Sequence, residues 1–167
     1  MRFTRQTKTR RGVVAVEAAI TMPLLLVLML GVWEVGRIIQ IQQMLVNSCR
    51  EGARFAAGGY TNGTPVTNAM VQQAVRDYLT SAGFPTVAVS NAQVSLSCLS
   101  SPTWTDPYQA LPLDKFQVSV VIPSGTAFNS LRWTLLNQIT SVRSLSASVN
   151  WMSLNNTQIV VNTQLPY

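Results

Sequence analysis

The sequence predicts an α+β protein: a long N-terminal transmembrane helix that continues into a small outer domain with a second helix and an antiparallel sheet. Three observations support this fold class. An apolar run from Val13 to Trp33 is long enough to span a bilayer. Apolar residues at helical spacing continue beyond it to Ala57. Three later segments then alternate apolar and polar residues with a period of two, which is typical of half-buried strands.

The charge of the chain is concentrated before the apolar run. The net charge is +6, although only 11% of the 167 residues are charged. The leader, residues 1–12, is basic and has no acid; its basic residues are Arg2, Arg5, Lys8, Arg10 and Arg11. The other basic residues nearly balance the acids, so the basicity flanks a span and is not a patch on a folded face. The sequence therefore predicts no nucleic-acid partner.

The run from Val13 to Trp33 is predicted to be a retained single-pass anchor in the lipid bilayer. It covers about 30 Å as a helix, the thickness of a bilayer core. The basic leader predicts a cytoplasmic N-terminus in the inner (cytoplasmic) membrane and a periplasmic or extracellular C-terminal domain. A removable secretory signal is the alternative, but its apolar region is normally shorter, and no small-x-small site follows Trp33.

Glu17 is the one charged residue within this run. An ionised group in lipid costs several kcal/mol, so it usually has a partner or a role. Two interpretations stay open. Glu17 lies about 6 Å along the helix from Val13, and it can reach the interface near Arg10 and Arg11. Alternatively, it pairs with a positive charge on another subunit, since an ion pair in low dielectric is strong when both members are placed together.

Several motifs follow one another between Arg11 and Ala57. They are Arg11-Gly12-Val13-Val14-Ala15-Val16-Glu17, Pro23-Leu24-Leu25-Leu26, Glu34-Val35-Gly36-Arg37 and Arg50-Glu51-Gly52-Ala53-Arg54. In this order they resemble the TadE-like family, pilin-like components of Tad (tight adherence) pilus systems. The resemblance implies a pilin-like lollipop shape and a non-catalytic minor pilin or pseudopilin of a pilus assembly or secretion system. Its implied partners are other pilin-like subunits and the pilus assembly machinery.

The resemblance also implies roles for two residues. Gly12 would be the processing residue, after which a prepilin peptidase cuts. Glu17 would then be the fifth residue of the mature chain and the charge partner of a neighbouring subunit's new amino terminus. Ala18 departs from the family pattern, in which an aromatic residue often follows the glutamate.

One helix is predicted from Val13 to Ala57, about 67 Å long, with residues 34–57 as its continuation outside the membrane. Pro23 removes a backbone hydrogen bond and is predicted to kink the transmembrane part; a locally unwound segment is the alternative. Two pairs of oppositely charged residues are expected at i, i+3 on the exposed face of this helix, Glu34-Arg37 and Glu51-Arg54. Each such pair stabilises a helix by about 0.2–0.5 kcal/mol. Ser48, Gly52 and Ala56 form a ridge of small residues along the helix. This ridge allows close packing on the chain's own domain or on another subunit.

The outer domain is assigned to residues 58–167. It has a second helix between Thr64 and Gly83 and three strands with their apolar faces at Val94 to Cys98, Phe116 to Ile122 and Leu145 to Trp151. An amphipathic helix is predicted from Phe128 to Thr140. Asn155-Asn156 is predicted to turn the chain into a last short strand, Gln158 to Val161.

The two cysteines, Cys49 and Cys98, both fall outside the membrane on apolar faces. A disulfide between them would stabilise the domain by about 4 kcal/mol on the chain-entropy model. Two reduced, buried cysteines are the alternative.

No catalytic, cofactor-binding or metal-binding residues are predicted. The chain has no histidine, which excludes Ser-His and Cys-His nucleophiles and histidine metal sites. It also has no Cys-x-x-Cys and no glycine-rich phosphate loop. The alternative to a pilin-like subunit is an uncleaved, single-pass accessory or binding module whose loop aromatics, Trp104 and Tyr108, contact a partner.

Overall fold

The first element is one long helix, α1, from Arg10 to Ala57. It belongs to a computed structural model that describes residues 10–131 and 144–155. The chain divides into a unit of residues Met1–Ile39 and a unit of residues Gln40–Tyr167, and α1 contributes residues to both.

Between Val13 and Trp33, α1 is apolar on all sides apart from Glu17. An 18-residue window of this helix has a mean hydropathy of 2.4, and none of it is buried. The side chains from Val13 to Trp33 are exposed apart from Ala18, which is half-buried. By length and composition this helix can cross a membrane, so the prediction of a long apolar N-terminal helix is confirmed.

In the second unit, the described residues form a three-stranded antiparallel sheet. Its strands are β3 (Gln93–Cys98), β4 (Lys115–Ile122) and β5 (Leu145–Met152), in the spatial order β3-β4-β5. The predicted period of two is confirmed most clearly on β4, where alternate residues are buried: Phe116, Val118, Val120 and Ile122. Side chains on this face of the sheet therefore form one wall of the core.

The second helix is shorter than the sequence predicted. The expected range was Thr64 to Gly83, whereas α2 spans Asn68–Ser81. The first two residues of that range instead form the strand β2 (Thr64–Pro65), which pairs with β1 (Tyr60–Thr61) in a two-stranded antiparallel ribbon. Thr67 then caps the helix, because its side chain accepts a hydrogen bond from the N–H three residues later.

The core of the second unit lies between the helices and the sheet. Side chains from both helices and from the sheet are fully buried, among them Leu45, Val75, Leu79, Val118 and Val120. Because α1 and α2 supply the apolar side chains that face β4, the sheet needs no second sheet to cover it.

Three short elements complete the described part of the chain: α3 (Thr86–Ser90), a 3₁₀ helix (Pro107–Gln109) and α4 (Thr126–Asn129). The helix predicted from Phe128 to Thr140 falls mostly outside the described residues. The predicted last strand, Gln158 to Val161, lies outside them entirely.

Candidate functional site

The residues predicted to serve processing and assembly lie near the start of α1. Gly12 and Glu17 are both exposed, and a Cβ added at Gly12 would have no described heavy atom within 4 Å. Thr21 Oγ1 donates a hydrogen bond to the main-chain oxygen of Glu17 at 2.9 Å. Glu17 is therefore accessible to a neighbouring molecule. Its role in assembly and cleavage after Gly12 both stay predictions.

Pro23 lies inside α1, and the helix continues on both sides of it. Proline has no N–H, so the carbonyl of Ala19 loses the intrahelical partner that a residue four positions later normally supplies. The kink predicted at Pro23 also stays a prediction.

The first charged motif after the span, Glu34 to Arg37, was expected to be a solvent-exposed pair, but its two charged residues differ in exposure. Glu34 is only 6% exposed, whereas Arg37 is exposed. Between them, Gly36 is exposed, and a Cβ added there would meet no atom within 4 Å. The exposed-face interpretation therefore fails for Glu34, because a carboxylate in that position is largely removed from water.

The second charged motif, Arg50 to Arg54, is divided between water and the core by helical geometry. Gly52 and Ala53 are buried, while Arg50 and Arg54 are exposed and Glu51 is half-buried. Because side chains turn by about 100° per residue, five consecutive helical residues cannot all face one way. The buried members pack the helix, and the charged members remain available at the surface.

Of the glycines of α1, Gly52 has the tightest surroundings. A Cβ there would lie 2.4 Å from Val75 Cγ2 of α2 and 3.6 Å from Val118 Cγ1 of β4. Its neighbours on the small-residue ridge, Ser48 and Ala56, are buried as well. Of the two uses left open for this ridge, the structure shows packing on the chain's own domain.

Glu51 and Arg54 form the predicted i, i+3 pair. Arg54 Nε donates to Glu51 Oε2 at 3.0 Å, and Arg54 Nη2 donates to Glu51 Oε1. These hydrogen bonds to the arginine hold the pKa of the Glu51 carboxyl below its usual value, and they raise the pKa of Arg54. Since Arg54 is exposed and Glu51 is in contact with water, solvent screens the pair and it is weak.

The two cysteines are free thiols, but only Cys49 is buried, whereas Cys98 is half-buried, so the alternative of two reduced, buried cysteines holds for Cys49 alone. Cys49 Sγ donates a hydrogen bond to Ala147 O of β5. Cys98 of β3 pairs with Phe116 of β4, and Phe116 pairs in turn with Trp151 of β5. The two thiols are therefore offset by four residues along the sheet, about 13 Å, which is too far for a disulfide. Burial raises the pKa of the Cys49 thiol to about 11.

The loop aromatics Trp104 and Tyr108 make separate contacts with the second unit. The Trp104 ring packs edge-to-face on Phe116 with centroids 5.9 Å apart. Its indole N–H is buried and has no hydrogen-bond partner within the described residues. Tyr108 is half-buried, and its main-chain N–H donates to Val66 O. Trp104 thus packs on the core of the second unit.

Sequence reasoning missed two polar contacts that fix the second unit. Gln42 Nε2 donates to Ser146 O at 2.8 Å, which ties α1 to the edge of the sheet. Asn155 Nδ2 donates to the carbonyl oxygens of Tyr108 and Ala110 at 3.1 and 3.0 Å. These residues are distant in sequence, so no local pattern pairs them.

Across residues 10–131 and 144–155, no group of three or more His, Cys, Asp or Glu side chains is placed to hold a metal ion. The candidate functional surface is the exposed apolar part of α1 from Val13 to Trp33, which contains one carboxylate, that of Glu17.

The fold and this surface define a class of protein: one apolar helix suited to a membrane, continuing into a small α+β domain. The family model described as "TadE-like protein" matches residues 12–54. This match confirms the TadE-like resemblance over that segment, and together with the candidate span it supports a Tad pilus-related, pilin-like protein. No curated protein and no solved structure matches the chain.

Proposed function

We propose that this protein is a non-catalytic minor pilin-like subunit, or pseudopilin, of a Tad-type pilus assembly or secretion system. It is anchored in the cytoplasmic membrane by residues 13–33 and carries its α+β domain on the outer side. The observation that supports this most strongly is the TadE-like match over residues 12–54, which falls on the exposed apolar helix containing Glu17.

The proposal gives Glu17 a physical purpose. Cleavage after Gly12 would remove the basic leader and free the amino group of Val13, which carries a positive charge. In lipid the ionised Glu17 carboxylate is costly by itself, and a second subunit's amino terminus would neutralise it. Both groups are surrounded by exposed apolar side chains, so such an ion pair would form within a low-dielectric helix–helix contact.

The rest of the exposed span supplies the nonpolar part of that contact. In lipid there is no hydrophobic driving force between helices, so van der Waals packing and polar pairs determine which helices associate. A single carboxylate near the start of the span can therefore set the axial register between subunits, while the apolar residues after Glu17 permit close packing.

The experiment compares Glu17→Ala with the unchanged chain in native cells. Membrane insertion should be unaffected, because the substitution makes the span more apolar. Incorporation into the assembly should fall about tenfold or more, which corresponds to the loss of roughly 1.4 kcal/mol of association free energy. Glu51→Ala is the matched control, since it removes a carboxylate from the same helix outside the span.

The intact mass and N-terminal sequence of the same preparations complete the test. A chain beginning at Val13 supports the processed subunit and the charge pair. A chain that retains Arg2 to Gly12, with Glu17→Ala incorporated normally, contradicts the proposal and favours a permanently anchored accessory protein.

A further inference from the structure

One face of the apolar part of α1 combines the Glu17 carboxylate with a cleft. Residues spaced alternately by four and three positions lie in one stripe along a helix. Counted from Glu17 in this way, the stripe consists of Glu17, Thr21, Leu24, Leu28, Gly31 and Val35. All six residues of this Glu17 stripe are exposed. The stripe is therefore accessible to another helix over about 27 Å.

The cleft lies at the outer end of the Glu17 stripe, where Gly31 has no side chain. A Cβ added at Gly31 would have no described heavy atom within 4 Å. Around it is a cleft of about 440 Å³, whose lining includes Val27, Leu28, Val32 and Val35. A small residue between branched ones allows a second helix to approach closely, and such packing is one of the forces that associate helices in lipid.

The inner end of the Glu17 stripe carries a charge that needs a partner in lipid. Thr21 Oγ1, one turn further along, donates its proton to the main-chain oxygen of Glu17 at 2.9 Å and not to the carboxylate. An ionised carboxylate is costly in lipid without a positive charge beside it. Val13 lies one turn before Glu17 on the same side of the helix, and cleavage after Gly12 would make it a positively charged amino terminus.

We propose that Val35 of a second copy of this chain occupies the Gly31 cleft, with the two transmembrane helices parallel and offset by one turn. This inference rests on the proposed function, since the amino group freed at Val13 sets the offset. An offset of four residues, about 6 Å, makes Glu17 of one copy level with Val13 of the next. The same offset brings Val35, just beyond the span, to the depth of Gly31 of the next copy.

A single offset thus satisfies both ends of the Glu17 stripe. Midway between them, it also makes Leu28 of one copy level with Leu24 of the next, so apolar side chains meet. An in-register pair would instead place two Glu17 carboxylates opposite each other, which is unfavourable in low dielectric, and would leave one Gly31 cleft facing another.

The self-complementarity of the stripe is the reason to assign the cleft to a second copy. The chain itself carries the carboxylate and the amino terminus, and it carries both the cleft at Gly31 and the side chain of Val35 that fits it. Because each residue meets the residue four positions earlier in the next copy, the contact does not close on two copies and can repeat along a row.

The first test fills the cleft with Gly31→Leu in the full-length chain in native cells. Ala19→Leu is the matched control, because Ala19 is an exposed small residue about 160° around the helix from Glu17. Both variants should insert, since both make the span more apolar. Incorporation of Gly31→Leu into the assembly should fall about tenfold or more, because the next helix can no longer approach closely. Equal incorporation of the two variants would overturn the proposal.

The second test traps the contact between two full-length copies that carry different tags, both with Cys98→Ser. One copy carries Gly31→Cys and the other Val35→Cys; in the controls, both copies carry the same one of these substitutions. Helix axes lie about 8–10 Å apart and Cα atoms about 2.3 Å from each axis, so level, facing positions are within disulfide range. Cys49 is buried, so its thiol should not compete.

On mild oxidation of native membranes, the mixed pair should form a bridge several-fold faster than either same-residue pair. Non-reducing electrophoresis with detection of both tags measures the three rates. Equal rates would overturn the offset between the helices. If no bridge joins two copies in any of the three cases, a different subunit or lipid fills the cleft, and the proposal is overturned.

Failure of this inference can be distinguished from failure of the proposed function. A mature chain that begins at Val13, with Glu17→Ala poorly incorporated but no mixed bridge, overturns the Val35–Gly31 contact and leaves the proposed function standing. A mixed bridge in a chain that retains Arg2 to Gly12 supports this contact, whereas the uncleaved leader contradicts the processed subunit.

Discussion

The two parts of α1 show how one helix is adapted to two environments. Between Val13 and Trp33 nearly every side chain is exposed and nearly every one is apolar. Between Gln40 and Ala57 the apolar residues include a stripe that is buried against the domain, as at Leu45, while charged residues such as Arg54 remain in water. The helix is continuous in both, so the difference lies in the side chains.

The comparison separates folding from assembly. A helix in lipid can be apolar on all sides, and its contacts with other helices come from packing and polar pairs. A helix on a water-exposed domain must bury one stripe, and this burial contributes to the stability of the domain. Substitutions between residues 40 and 57 should therefore change unfolding, and those between 13 and 33 should change association.

The largest expected effect is on unfolding of the outer domain. Leu45 is 0% exposed, so Leu45→Ala removes buried methyl groups and leaves a cavity, at a cost of about 2–5 kcal/mol. Leu25→Ala is the matched control, because Leu25 is 62% exposed in the apolar part of the helix. Urea unfolding in detergent, followed by near-ultraviolet circular dichroism, measures both. Equal midpoints would contradict the assignment of folding to the second part of α1.

A smaller effect is expected where the backbone of α1 approaches its neighbours. Gly52→Ala places a methyl group 2.4 Å from Val75 Cγ2, and the resulting overpacking should cost about 1–3 kcal/mol. Gly36→Ala is the matched control on the same helix, because its Cβ meets nothing within 4 Å. There the higher helix propensity of alanine should leave stability unchanged or slightly raised. A loss of stability in Gly36→Ala equal to that in Gly52→Ala would show that helix-wide effects, and not this contact, are measured.

The sequence predicted those features of the fold that depend on local periodicity. The alternation through Val118 and Val120 indicated the buried face of β4, and the small side chains of the Gly52 ridge indicated close packing. Both patterns are short-range, because the period of a helix or strand fixes which side chains share a face.

Features that depend on distant pairings could not be predicted in this way. Gln42 caps Ser146, and Trp104 packs on Phe116, across long stretches of sequence. The late start of α2 has a similar cause, since Thr64–Pro65 pairs with Tyr60–Thr61 before the Thr67 cap begins the helix. In the candidate site, the exposure of Glu17 follows from the apolar run, whereas the burial of Glu34 had no local signal.

The smallest expected effect concerns the surface pair on the second part of α1. Arg54 holds the pKa of Glu51 below its ordinary value of 4.5, so the ionised carboxylate stabilises the folded domain. This contribution is fully present above about pH 4.5 and is lost as the pH falls through the lower folded-state pKa. Because water screens the pair, Glu51→Gln should cost less than about 0.5 kcal/mol at pH 7.

The measurement is the urea midpoint of the unchanged chain and of Glu51→Gln between pH 7 and pH 3. The difference between the two should be largest at pH 7, shrink as Glu51 is protonated, and be reduced by added salt. Asp77→Asn is the control, because Asp77 accepts from Gln73 Nε2, a neutral donor, at 2.8 Å on α2. A difference that instead grows toward pH 3 would have the wrong sign for a carboxylate with a lowered pKa. In that case the Glu51–Arg54 pair would not be the source of the stability difference.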